Sequence, residues 1–178
     1  SLRPAKRPPA GADATNKTER AFQNPRQIMD CVPAKERPKT VKDWNQSSGK
    51  YVEDTVAKAT VGKQIKIESP LERYNANANE ARFRDEPFAW GGVDVEFVYD
   101  LRWDASDSKA REFKDEPEGA KMLVMGTIQR VDLGARERAV TKTKRKINAP
   151  NETVISREPY IEVRLVVAPS AEMKIKRR

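Results

Sequence analysis

The sequence predicts a mainly β protein. Its body reads as an antiparallel β-sandwich or jelly-roll-like fold with one short helix, preceded by a long extended N-terminal arm. Three observations carry this. Val93 to Trp103 alternates apolar with mostly polar residues, further apolar runs recur between turn signals, and the first 50 residues hold six of the twelve prolines with few large apolar side chains. Alternation puts one face of a strand in a core, whereas a proline-broken, weakly apolar segment cannot bury enough surface to fold alone.

The parts follow in order. Residues 1–50 form the arm: proline lacks an N–H and clashes with the preceding helical turn, so Pro4, Pro8, Pro9, Pro25, Pro33 and Pro38 break any helix. Phe22, Ile28, Met29, Val32, Val41 and Trp44 punctuate it as apolar anchors. An arm of this composition is ordered by wrapping a partner. The body spans 51–170. Glu53–Lys58 suits a short helix and Lys63–Glu68 a strand. Ser69-Pro70-Leu71-Glu72 matches a capping box with proline at the first helical position, so a helix is expected to end before Pro87.

Gly91-Gly92 opens the strongest strand. Val93, Val95, Phe97, Tyr99, Leu101 and Trp103 share one face, and burying six such side chains contributes roughly 9–18 kcal/mol by transfer. Residues 104–120 read as a charged loop. Lys121–Val131 is a second strand, Asp132-Leu133-Gly134 a turn, and Arg136–Lys146 its hairpin partner. Thr153–Ile155 and Ile161–Val167 complete about six strands, joined by turns that favour antiparallel pairing. Residues 171–178 are a basic tail. An OB-fold is the alternative: five strands fit, but no helix is evident between the third and fourth.

Charge is divided by position. The chain carries net +8; residues 1–50 hold 11 Lys/Arg against 5 Asp/Glu, residues 93–120 hold 4 against 9, and residues 121–178 hold 14 against 6. Polyanion contact is therefore expected at Arg3, Lys6 and Arg7, at Lys142, Lys144, Arg145 and Lys146, and at Lys174, Lys176, Arg177 and Arg178. On a strand Lys142, Lys144 and Lys146 would form one cationic ridge. Phe22, Trp44, Phe88 and Trp90 are candidate partner anchors, since exposed aromatic rings are costly in water. Phe97, Tyr99 and Trp103 fit core packing better than base stacking.

With no histidine and a single cysteine, Cys31, histidine-activated nucleophiles, ordinary zinc sites and an intramolecular disulfide framework are all excluded. Asp104, Asp107, Glu112 and Asp115 are a weak Ca²⁺ candidate; they lack EF-hand spacing, and a solvated acidic loop is the simpler reading. Sequons at Asn16, Asn45 and Asn151 are matched by chance in a chain without a visible secretory signal. No cofactor is expected, and no apolar run reaches membrane-spanning length.

The expected role is a non-enzymatic structural subunit of a large assembly. A viral or phage coat or other virion protein is the leading instance, contacting copies of itself, other subunits and nucleic acid. The alternatives are a supernumerary protein of an organellar ribosome or similar RNA–protein complex, and an OB-type single-strand-binding module. A virion or intracellular setting follows, or an organelle if a leader was removed.

Overall fold

The computed structural model describes residues 20–44 and 46–173. Arg3, Lys6, Arg7, Lys174, Lys176, Arg177 and Arg178 lie outside the described residues.

Six strands follow two helices: α1 (Pro25–Met29), α2 (Gln46–Thr60), β1 (Gln64–Asn75), β2 (Glu80–Arg84), β3 (Phe88–Trp90), β4 (Val93–Arg102), β5 (Lys121–Lys144) and β6 (Glu152–Pro169). They form one sheet, ordered β2-β1-β5-β6-β4-β3, and β2 also pairs with β4. That pairing closes a five-stranded barrel of β1, β2, β4, β6 and β5. The expected two-layer sandwich is thus replaced by one closed ring, and a jelly roll would need about eight strands. β4 and β6 are parallel while the other pairs are antiparallel. The parallel pair arises because β5 inserts on the far side of β6, so a hairpin brings β6 back alongside β4.

The apolar face of β4 is buried as expected, and on its other face Glu96, Val98 and Asp100 are buried as well. Val93, Val95, Phe97, Tyr99 and Leu101 are buried inside the barrel with Ile65, Ile67, Phe83, Val124, Ile128, Val163 and Leu165. A 3-10 helix, Lys109–Phe113, lies between the third and fourth barrel strands. Its Phe113 is fully buried and packs edge-on against Phe83 at 6.1 Å and at a tilt against Trp103 at 5.5 Å.

Three local expectations fail. The helix expected from Ser69 is instead the continuation of β1, where Ile65, Ile67, Ser69 and Leu71 alternate inward. The ladder to β5 ends at Pro70 and that to β2 begins at Leu71, so proline's missing N–H falls where the strand changes partner. Asp132-Leu133-Gly134 is not a turn; β5 runs through it unbroken, and Leu133 N–H donates to Glu53 on α2 at 2.9 Å. The short helix at Glu53–Lys58 is the second half of the 15-residue α2. α2 buries Val52, Val56 and Thr60 at helical spacing, and Gly49 one turn earlier faces the Trp44 indole.

The globular unit also begins well before Tyr51. Phe22 N–H donates to Gln64 O at 2.8 Å, and Lys66 N–H donates to Phe22 O at 2.8 Å, so Phe22 extends the sheet beside β1. Asn24 caps α1 by accepting from Gln27 N–H. Ile28, Met29 and Val32 are fully buried in the main core. Residues 22–44 are therefore a strap over the barrel.

Of the four expected partner anchors, Trp90 is buried in this chain's own core, and Phe22, Trp44 and Phe88 are half-buried against it. Phe88 stacks on Phe97 at 6.1 Å with the Arg26 guanidinium 4.7 Å from its ring, and Arg37 lies 5.2 Å from the Trp90 ring. Phe22 and Trp44 pack against the core. The Gly91-Gly92 turn explains itself here. Gly91 has φ +63°, and a Cβ on Gly92 would stand 1.7 Å from Lys39 O of the strap.

Candidate nucleic-acid interface

β5 and β6 run well past the barrel. Their ladder continues from Arg136↔Tyr160 to Lys144↔Glu152, nine register pairs with no third strand among the described residues, because β4 reaches β6 only as far as Ile161. At the usual rise per residue this two-stranded ribbon projects about 30 Å. Residues 136–160 hold seven Lys/Arg and three Glu.

The register sorts these charges. Arg136, Arg138, Lys142 and Lys144 share a face with Glu152, Glu158 and Tyr160. Arg138 stacks on the Tyr160 ring at 4.1 Å. Lys142 pairs with Glu158 at 3.0 Å and Lys146 with Glu152 at 2.9 Å. These pairs are solvent-exposed, so each is worth little and yields readily to a phosphate. The described contacts give Lys144 and Arg145 no ion pair. Of the expected ridge, Lys142 and Lys144 share one face of the ribbon, whereas Arg145 and Lys146 lie just past the end of β5, where the chain enters the turn.

At its base the ribbon joins the outer face of β2, β4 and β6. Sequence reasoning missed this face. Glu96 sits directly opposite Glu162, a like-charge pair that is unfavourable alone. Arg84 resolves it, reaching Glu162 at 3.2 Å, Glu96 at 3.9 Å and Glu72 at 2.7 Å. Glu72 is placed for this by the register shift between Leu71 and Arg73. Arg138 bonds Glu96 at 3.0 Å, Arg164 bonds Glu162 at 3.1 Å, and Arg82 grips Asp100 at 2.6 and 3.1 Å. Val98 is fully buried, between Arg84 and Arg164 in the register. Burial raises the Glu96 carboxyl above its ordinary value, against the pull of Arg138 and Arg84. Opposite charges largely cancel across this face, whereas the cations of the ribbon tip do not.

A second polar cluster lies in the barrel wall. Asp85 accepts from Ser69 Oγ at 2.5 Å and from Tyr99 Oη at 2.6 Å. Burial raises the Asp85 carboxyl, and burial with the adjacent Asp85 raises the Tyr99 phenol well above its ordinary value. Ser69 and Tyr99 are fully buried. Both carboxylate oxygens are engaged, so the cluster satisfies buried polar groups rather than presenting a reactive one.

The acidic stretch does not converge. Glu112 pairs with Lys109, Asp107 caps Lys109 N–H, and the backbone carbonyls of Asp104 and Asp107 accept from the Asn79 amide. Among the described residues no group of three or more His, Cys, Asp or Glu side chains is placed to hold a metal ion. Asp104, Asp107, Glu112 and Asp115 are therefore a charged loop in this fold. Among the same residues no helix is long and apolar enough to cross a membrane. No family model matches the chain, and neither does any curated protein or solved structure.

Proposed function

We propose that this chain is a non-enzymatic nucleic-acid-binding module built on an OB-type barrel, with the cationic ribbon as its contact. The observation that carries this is the ribbon: a regular, two-stranded projection whose uncompensated charge is positive. The barrel supports the same reading. Numbered along the chain, its strands close in the order 1-2-3-5-4 with the third and fifth parallel, an arrangement in keeping with an OB-type Greek-key barrel. In that fold the face of strands two and three and the loops after strands one and four bind oligonucleotides. Here the connection after the fourth strand is the ribbon. The neighbouring face carries Arg–carboxylate pairs instead of exposed stacking rings, so the contact rests on phosphates more than on bases.

The test is a titration of labelled duplex and single-stranded oligonucleotides with the purified chain at several salt concentrations. If about five cations meet phosphates, log K falls against log salt with a slope near −4 to −5 on duplex. Negligible binding at low salt would refute the proposal.

A second reading, a subunit of a virion or ribonucleoprotein particle, is favoured by the reach of the ribbon, since a projection of about 30 Å can thread between neighbours. It predicts sedimentation as a large particle, or co-purification with RNA and many unlike proteins. A small monomer or dimer would count against it.

A further inference from the structure

We propose that the ribbon is a duplex-binding arm, and that Ile147 at its tip wedges into a base step from the minor groove and bends the nucleic acid. This rests on the binding role argued above and adds the form of nucleic acid and the mode of contact.

Ile147 is 93% exposed, the most exposed large apolar side chain among the described residues. It stands in the turn between β5 and β6, directly after Lys144, Arg145 and Lys146. Asn148, with φ +60°, and Pro150 set that turn. A solitary apolar tip among cations suits a polyanion better than a protein. Protein hot spots cluster several buried anchors, and Ile155, the other exposed large apolar residue described in the ribbon, lies opposite Thr141 on the reverse face.

Strand addition by another chain is also disfavoured. The β5 edge carries Arg136, Arg138, Lys142 and Lys144, and the β6 edge carries Pro159, which are features that block edge pairing. A two-stranded ribbon can follow a DNA groove. Isoleucine is among the side chains that minor-groove proteins insert between base steps, bending the duplex by about 20–90°.

The probe is a duplex of about 30 base pairs, a length over which such a bend is readable, carrying a fluorescent donor and acceptor at its two ends. The same sequence serves as single strand. The full chain is expected to bind duplex about tenfold more tightly than single strand at equal salt, in keeping with contact to paired phosphates, and to raise energy transfer. Ile147→Ala should still bind but lose the rise in transfer, and Ile147→Leu should restore it. Distamycin, which fills the minor groove, should compete. The inference is overturned if single strand binds as tightly as duplex, if no bend appears, or if Ile147→Ala bends as the parent does. Binding to phosphatidylserine vesicles in preference to duplex would overturn it as well. Failure to bind either oligonucleotide refutes the binding role itself, an outcome distinct from binding without bending.

Discussion

Replacing Ile28 by alanine tests whether the strap belongs to the fold. Ile28 is fully buried beside Met29 and Val32, on a helix capped by Asn24 and tied to β1 through Phe22. The change removes three carbons, about 2.4 kcal/mol of transfer energy at about 0.8 per methylene. The cavity left behind brings the expected loss to about 2–5 kcal/mol. Urea denaturation followed by tryptophan fluorescence reads this directly. With a slope of about 2 kcal/mol/M, the midpoint falls by about 1–2.5 M while the slope is unchanged. Ile147→Ala at the exposed ribbon tip is the control and should move stability by less than about 0.5 kcal/mol. A loss below about 0.5 kcal/mol for Ile28→Ala would mean the strap does not pack on the barrel. Residues 20–44 would then be free to wrap a partner, as expected of the arm.

Other predictions follow from the same contacts. Arg84→Ala strands Glu72, Glu96 and Glu162 together and should cost about 2–3 kcal/mol, discounted for partial exposure; adding Glu96→Gln and Glu162→Gln should recover part of it by the same denaturation assay. Gly92→Ala forces Lys39 O away and should loosen the strap, which proteolysis between residues 20 and 44 would detect; an unchanged cleavage rate would contradict the close approach. Asp85 and Glu96 have folded pKa values above their ordinary ones, so the folded state holds more protons in the window between. Stability therefore falls as pH rises upward from about the ordinary carboxyl value of 3.8 through the raised Asp85 value. Asp85→Asn should flatten that fall in a series of denaturation midpoints across pH, and an unaltered profile would contradict the assignment.

The fold was legible wherever structure is local. Val93 to Leu101 declares its inward face by alternation, and so do Lys142 and Lys144 on one face of β5, though the strand ends before Lys146. What depends on distant pairing was not. The Ser69-Pro70 signal is a sound helix start in isolation, but pairing with β5 and then β2 overrides it. Ile28, Met29 and Val32 are too few to predict a core of their own. They are buried only because the barrel offers apolar surface at that end. The Arg–carboxylate face needs the register of three strands before Arg84 can be seen between Glu96 and Glu162. Which charges cancel is decided by that register and not by their order along the chain.

The central claim is that the ribbon's cations make the nucleic-acid contact. The most direct test replaces Lys142, Lys144, Arg145 and Lys146 together by glutamine and measures duplex affinity by anisotropy across a salt series. All four are solvent-exposed, so the fold should persist. Losing about four phosphate contacts should reduce the salt slope by about 3–4 and weaken binding at low salt. An unchanged slope and affinity would contradict the account.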